Sequence, residues 1–125
     1  MKEETEDNML IAEFMGNKMN GVFYISGYDA NFPTQRLVHP NDLEYHESWD
    51  WLIPVVDKIR DNNCIVSIRF NRQINTTNTH ISCFENKWLK DINISGVGIE
   101  STYKSVIEFI KWYNSLGFKY ESNRT

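Results

Sequence analysis

The sequence predicts a two-layer α+β domain, in which an antiparallel sheet of three to four strands carries two main helices on one face. Two observations support this prediction. From residue 46 onward the chain reads helix, three strands, helix, and strands joined by short links pair antiparallel. Each of the two helices also has an apolar side that must be buried, and the sheet offers both of them a surface. A short N-terminal helix and a strand are expected to add to the same core.

The chain begins with an acidic arm and a short helix. Residues 1–7, MKEETED, are mostly charged, and they are predicted to form a mobile arm. A helix is predicted from about residue 9 to residue 15 because apolar residues recur there at helical spacing. Asn8 is its expected cap, and Gly16 is its expected stop in a left-handed conformation.

A strand and a long loop follow this helix. A turn at Asn20–Gly21 precedes a run of strand-forming residues at 22–26. Residues 27–42 contain glycine and two prolines without a clean period, which predicts a long loop with a short extended piece at 36–38. Loops of that length are uncommon unless they are functional, so this one is a second candidate site.

The next helix, predicted at 46–61, contains the run SWDWLIPVVDKIRDN. Pro54 lacks an N–H, so it does least damage if the helix begins near Trp51, and a helix that begins earlier must kink there. Trp49 and Trp51 are about 200° apart on a helix. One tryptophan is therefore predicted to complete the core and the other to lie on a different side, as a candidate partner contact. The predicted buried stripe is Leu52, Val55, Val56 and Ile59.

Three strands and a last helix complete the fold. The strands are predicted at 64–70, 80–85 and 92–100. The helix, at 101–115, has one apolar face and a natural stop at Gly117. Residues 121–125 are predicted to be a mobile tail, so the single domain spans 8–120. The apolar face of the helix consists of Tyr103, Val106, Ile107, Ile110 and Tyr113.

Composition narrows the classes of function. A net charge of −4 argues against generic nucleic-acid binding, which needs a basic field, and an aromatic content of 14% argues against disorder. No run approaches the roughly 18 apolar residues of a membrane span, and the N-terminus is acidic, so no membrane role and a cytoplasmic location are predicted. In that compartment Cys64 and Cys83 are expected to be reduced, buried thiols.

Three stretches, LIAEFMG, YHESWDWLIPVVDKI and VIEFIKWYN, resemble in this order a group of short, uncharacterised proteins encoded by bacteriophages and prophage-type elements. The resemblance runs from residue 9 to residue 114. It implies a phage-related, intracellular, accessory protein, and it implies no activity and no catalytic residues. Small accessory phage proteins often act by binding a host enzyme, a defence protein or a nucleotide signal, so the resemblance also implies binding, with counter-defence as one possible purpose.

The helix–three strands–helix order also resembles the double-stranded-RNA-binding domain, in topology alone. That family has a cluster of lysines at the start of its last helix. Here the start reads ESTYKSV, in which Lys104 stands alone between Glu100 and Glu108. This charge balance argues against RNA binding.

Side chains that could carry chemistry do not form a known motif. His39, His46 and His80 are scattered, without HxxxH or CxxC spacing, so no metal and no cofactor is predicted. An offset of three residues on a strand puts His80 and Cys83 on opposite faces, which argues against a Cys–His pair. A pair of Cys64 with His80 across two strands stays geometrically open.

Strand alternation predicts which side chains face away from the helices: Arg69, His80, Ser82 and Phe84. Trp88 is predicted in a lysine-flanked turn at 86–90, next to that face. We therefore predict that Arg69, His80, Phe84 and Trp88 contact a host protein or a small anionic ligand. An ordinary solvated face, and pairing with a second copy of the chain, are the alternatives.

Three functions follow from these observations. The first hypothesis is a non-catalytic binding module. The second is a small enzyme that acts on a nucleotide or a nucleic acid and uses His80 with a carboxylate brought to it by folding. The third is a structural or assembly role in the virion.

Overall fold

The computed structural model describes residues 2–19, 22–28, 33–85 and 88–122. The helices in these ranges are α1 (Lys2–Phe14), α2 (Trp49–Arg60) and α3 (Glu100–Ser122). The strands are β1 (Lys18–Met19), β2 (Val22–Tyr28), β3 (Pro33–Leu37), β4 (Cys64–Asn71), β5 (Thr76–Glu85) and β6 (Trp88–Gly96). A single 3-10 turn, Pro40–Asp42, lies between β3 and α2.

Strands β4, β5 and β6 form an antiparallel sheet in that order, which we call the main sheet. Helix α2 packs against β4, and α3 packs against β5 and β6. The predicted α+β fold, with two main helices on one face of an antiparallel sheet, is confirmed. The buried strand residues share one side of the sheet and are Cys64, Val66, Thr77, Thr79, Ile81, Cys83 and Ile92.

Strands β1, β2 and β3 form a separate antiparallel sheet. The predicted loop at 27–42 therefore contains more regular structure than expected, since the end of β2, all of β3 and the 3-10 turn fall within it. Phe23 from β2 and Val38 after β3 belong to the same buried cluster as the main sheet and the helices. The turn predicted at Asn20–Gly21 lies outside the described residues.

Helix α1 is longer than predicted. It begins at Lys2, so residues 2–7 of the predicted mobile arm are helical. Glu3 and Glu4 lie in its first turn, where negative charge is favourable to the helix dipole. Asn8, predicted as the cap, is buried in the helix interior. The predicted stop is confirmed, because Gly16 has φ +75°, a left-handed conformation that glycine adopts without strain.

Helix α2 begins at Trp49 after the N-cap Ser48, three residues later than the predicted start at 46 and before Trp51, the start at which Pro54 would do least damage. Pro54 lies inside the helix on its exposed side. The predicted stripe of Leu52, Val55, Val56 and Ile59 is buried, as expected. Trp49 contacts the ring of Phe70 and Trp51 contacts the ring of Tyr45, as expected for different sides of the helix. Both are half-buried and pack against the core, so the prediction that only one of them belongs to the core is wrong.

Helix α3 continues through Gly117 to Ser122, so the predicted stop is wrong. It is buried on two sides because it lies between the main sheet and α1, where the ring of Phe14 meets the ring of Phe109 edge-on at 5.8 Å. Of the predicted apolar face, four residues are buried and Tyr113 is partly exposed. The residues 121 and 122 of the predicted tail belong to α3, and 123–125 lie outside the described residues.

The ends of two strands differ from the prediction. Strand β5 begins at Thr76, because Asn75 turns the chain with φ +51° and the Thr/Asn-rich run after it pairs with β4. Strand β6 spans Trp88–Gly96, four residues earlier than expected. A Cβ atom on Gly96 would lie 3.3 Å from the backbone nitrogen of Ser101, so glycine permits the close approach of β6 to the start of α3.

Cys64 and Cys83 lie directly opposite each other on β4 and β5 and are joined by a disulfide. The prediction of reduced thiols is therefore wrong, although both residues are buried as expected. The cause is the strand register, which brings together two residues that are 19 positions apart in the sequence. A Cys64–His80 pair does not form, since the two side chains are on opposite faces of the sheet.

Candidate binding surface on the uncovered sheet face

The side of the main sheet opposite α2 and α3 is the uncovered face. It is made of alternate residues on the three strands. Arg69, His80, Ser82 and Phe84 lie on it, as strand alternation predicts. The full set with described side chains is Ile65, Ser67, Arg69, Asn71, Thr76, Asn78, His80, Ser82, Phe84, Asp91, Asn93 and Ser95.

His80, Ser82 and Asp91 form a hydrogen-bonded cluster at the centre of this face. Ser82 and Asp91 are directly opposite each other in the register, and the Ser82 hydroxyl donates to Asp91 Oδ1 at 2.7 Å. His80 Nε2 lies 2.6 Å from the same oxygen. The hydrogen bond from Ser82, and then that from His80, lower the pKa of Asp91 below its ordinary value. The carboxylate of Asp91 is thus ionised and held by two donors.

The geometry of this cluster is not that of a serine nucleophile. The Ser82 hydroxyl oxygen lies 3.1 Å from His80 Nε2, the same ring nitrogen that faces Asp91. In a catalytic triad the serine and the acid contact opposite nitrogens of the imidazole. Here Ser82 donates its proton to Asp91, so the imidazole is not placed to remove that proton.

A second polar group joins β5 to β6 on the same face. The side-chain amide of Asn78 donates to Asn93 Oδ1 at 2.6 Å and to Ser95 Oγ at 2.9 Å. These bonds and those of the central cluster hold the polar side chains in fixed orientations before any ligand arrives. A surface fixed in this way loses little side-chain entropy when it is bound.

The two ends of the uncovered face differ in chemistry. Ile65 and Phe84 lie at one end and are 64% and 56% exposed. Arg69 lies four residues along β4, about 13 Å from Ile65. It is exposed, and it has no ion-pair partner within the described ranges. The face therefore has an apolar end, a polar centre and a cationic end.

Trp88, the fourth predicted site residue, opens β6, and its backbone pairs with Glu85. Residues 88–90 are thus part of a strand, and the prediction that they form a turn is wrong. Its side chain, like residues 86 and 87, lies outside what the structure describes. A role for Trp88 stays a prediction.

Sequence reasoning missed Asp91 as a member of this face and did not name Ile65 as a contact. The signal for Asp91 was present in the run Asp-Ile-Asn-Ile-Ser at 91–95, which alternates polar and apolar residues with the period of a strand. Placing that strand at 92–100 left Asp91 outside it. Strand alternation places Ile65 on the same side as Arg69, four residues away, and its exposure is what makes it a candidate contact.

The described part of the chain has a cleft outside the uncovered face, but no metal-binding group and no membrane-spanning helix. A cleft of about 520 Å³ is lined by residues between Leu37 and Glu47, including His46, and shares no residue with the uncovered face. Among the described residues, no group of three or more His, Cys, Asp or Glu side chains is arranged to hold a metal. None of the helices in the described ranges is both long enough and apolar enough to cross a bilayer.

No protein-family model, no curated protein and no solved structure matches this chain.

Proposed function

We propose that this protein is a small, non-catalytic binding module that uses the uncovered face of the main sheet to bind another protein. The observation that carries the proposal is the combination on one face of two exposed apolar side chains, Ile65 and Phe84, with a fixed polar centre. A face of this composition, apolar anchors beside satisfied polar groups, is typical of protein interfaces.

The shape and charge of the face favour a protein partner over a small anion. Small-molecule sites are concave, whereas this surface is the open side of a sheet. Its charged groups are Arg69, which is unpaired within the described ranges, and Asp91, which is bound by His80 and Ser82. The partner therefore offers a carboxylate to Arg69 and an apolar side chain to Ile65 and Phe84.

The proposal includes the phage-related, accessory context, with a host protein as the partner and counter-defence as the purpose. This part rests on the resemblance of three sequence stretches and on nothing in the fold. The proposed compartment is the host cytoplasm. The disulfide between Cys64 and Cys83 argues against a cytoplasmic location, because disulfides are rare in that compartment. The fraction of free thiol, trapped by alkylation inside living host cells, tests this part separately.

The binding surface is tested with a double substitution, Arg69→Ala with Trp88→Ala. Partners captured from a bacterial lysate are identified by mass spectrometry, and the affinity is then measured with the purified partner. Arginine and tryptophan side chains that a partner buries commonly contribute about 2 kcal/mol each, so the double variant should bind roughly 1,000-fold more weakly, and loss of either contact alone should weaken binding about 30-fold. Its melting temperature should stay near that of the wild type.

The matched control is Arg72→Ala. Arg72 is exposed in the hairpin between β4 and β5, outside the uncovered face, and should be removable without effect on binding. If the double variant binds as tightly as wild type, the uncovered face is not the site. The cleft near residues 37–47 is then the next candidate.

The enzyme hypothesis remains the second candidate, because His80 does meet a carboxylate, Asp91, at 2.6 Å. A proton-transfer role needs only such a pair and a substrate within reach of it. Purified protein is incubated with nucleotides and with RNA or DNA oligonucleotides, and product formation is compared with that of His80→Ala. Activity that disappears in the variant while the melting temperature is unchanged favours the enzyme.

A further inference from the structure

The N-terminal half of α1 is attached to the rest of the molecule by polar contacts. The Thr5 hydroxyl donates to Asn41 Oδ1 at 3.3 Å, and the Tyr103 hydroxyl donates to Asn8 Oδ1 at 3.1 Å. The C-terminal half is attached differently, by the fully buried Ile11 and Ala12. The two halves of the helix therefore depend on different interactions.

Asn8 is the centre of the polar attachment, and it is only 2% exposed. Its amide nitrogen donates to the backbone carbonyl of Leu43 at 3.1 Å and to Nδ1 of His46 at 2.9 Å. Its amide oxygen accepts from Tyr103. Burial, and then the charges of Asp7 and Glu4, raise the pKa of Tyr103, so its hydroxyl remains a donor.

These partners fix the orientation of the Asn8 amide. The Leu43 carbonyl can only accept a hydrogen bond, so the amide nitrogen must face it, and a flipped amide would put two oxygens together. The same nitrogen then faces His46 Nδ1, which must therefore be an acceptor. The structure thus requires His46 in its neutral form, with the ring proton on Nε2.

Protonation of His46 would turn this contact into two opposed donors. Acidic groups lie on the other side of the ring: Glu47 Oε2 lies 3.7 Å from Nε2, and Glu44 and Asp42 line the same cleft. From α1, Glu3, Glu4 and Asp7 lie around Tyr103, whose ring packs against His46 at 6.2 Å. A protonated His46 therefore loses the hydrogen bond from Asn8 but keeps the carboxylate of Glu47 on its other side.

His39 has the same requirement. Its Nδ1 accepts from the backbone N–H of Asn41 at 3.1 Å and caps the 3-10 turn Pro40–Asp42, which packs against α1. A backbone N–H cannot become an acceptor, so a proton on Nδ1 of His39 also breaks its contact. His80 is the opposite case, since its Nε2 faces the carboxylate of Asp91.

We propose that the segment 39–46 and the N-terminal half of α1 form an acid-sensitive latch, closed while His46 and His39 are neutral and opened by their protonation. The opening frees residues 2–8 and leaves the apolar half of α1 in place. This proposal is independent of the binding function proposed above, because it uses none of the residues of the uncovered face.

The test measures amide hydrogen exchange as protection factors, which compare each amide with the unfolded chain at the same pH. Between pH about 7.5 and about 5, where histidine side chains ordinarily change charge, protection at residues 4–8 should fall by about tenfold, the effect of one lost buried hydrogen bond. Protection in β5 should not change. Unchanged protection at residues 4–8 would overturn the proposal.

The matched variant is His46→Gln, whose side-chain oxygen can accept from Asn8 but cannot be protonated in this range. It should lose most of the pH dependence at residues 4–8, and full retention of that dependence would overturn the role of His46. A second measurement, on the wild type alone, tests the protonation state of His46. The ring ¹⁵N shifts of His46 at neutral pH should show an unprotonated Nδ1, and a proton on Nδ1 would contradict the proposal.

Discussion

The two faces of the main sheet are built from neighbouring residues of the same three strands, yet they differ in what they contribute. The covered face is buried beneath α2 and α3 through residues such as Val66, Ile81 and Ile92. The uncovered face carries polar side chains that bind one another, and its Ile65 is 64% exposed. Ile65 and Val66 are adjacent in the sequence, yet Val66 is buried in the core and Ile65 is exposed.

This difference assigns stability to one face and leaves the other available for function. A change on the covered face creates a cavity or an unpaired buried group, and such changes account for most large losses of stability. A change on the uncovered face should leave the fold nearly unaffected. The following experiments test that separation, beginning with the largest expected effect.

The largest effect is expected from Ile110→Asp. Ile110 is fully buried in α3 and belongs to the core cluster, so an aspartate would place an unpaired charge in the core. The free energy of unfolding should fall by more than about 4 kcal/mol, which leaves the chain unfolded, as circular dichroism would show. Asn114→Asp, at an exposed position of the same helix, should fold normally. If Ile110→Asp melted like wild type, the buried side of α3 would not be part of the core.

Reduction of the disulfide is expected to have the next largest effect. The bond between Cys64 and Cys83 closes a loop with a sequence separation of 19 on the covered face. Opening such a loop should cost about 3 kcal/mol through the entropy of the unfolded chain. Urea unfolding is measured with and without a dithiol reductant, and a Cys64→Ala, Cys83→Ala variant should not respond to the reductant. Two free thiols in protein purified without reductant would contradict the structure.

Thr79→Val removes the polar contact within the covered face. The Thr79 hydroxyl is fully buried and lies 3.0 Å from Ser101 Oγ and 2.8 Å from Thr102 Oγ1. Valine has the same shape, so the loss of about 1–3 kcal/mol comes from hydroxyls left without a partner. The matched control, Thr76→Val, makes the same change on the uncovered face and should cost less than about 0.5 kcal/mol. If urea unfolding showed equal losses of stability for the two variants, the two faces would not differ in their contribution to the fold.

A smaller effect is expected from Asp91→Asn, and it depends on pH. The pKa of Asp91 is lowered in the folded state, first by Ser82 and then by His80, so its contribution to stability is present above the ordinary value of 3.8. It is lost as the pH falls through the lowered pKa. The difference in urea midpoint between wild type and variant should therefore be present above pH about 4 and shrink as the pH falls towards about 3. In the Ser82→Ala background, replacing Asp91 by Asn should change the urea midpoint less than it does in the wild type. A difference that grows as the pH falls below about 4 would contradict the hydrogen-bonded cluster.

The sequence predicts much of this architecture because its signals are local. The spacing of Val55, Val56 and Ile59 predicts the buried side of α2, and strand alternation predicts that Arg69, His80 and Phe84 share a face. Asn8 shows the limit, because its burial depends on Leu43 and His46, which folding brings to it from 35 and 38 residues away.

For a related reason, the partner of a residue on the neighbouring strand cannot be predicted from a single sequence. Cys64 meets Cys83, and Ser82 meets Asp91, because the register aligns them. Alternation tells which side a residue faces, whereas register tells which residue lies opposite. The start of β5 at Thr76 shows how a wrong strand end hides that register, since the prediction begins this strand at residue 80.

The most direct test of the central claim uses two matched isoleucines that are almost equally exposed. Ile65 is 64% exposed on the uncovered face, and Ile74 is 66% exposed in the hairpin between β4 and β5. Each is replaced by lysine, and both the melting temperature and the affinity for the captured partner are measured. The account predicts that neither change alters melting and that Ile65→Lys alone weakens binding, by at least about tenfold, because a charge is buried at the interface. Equal binding by the two variants, or a loss with Ile74→Lys alone, would contradict it.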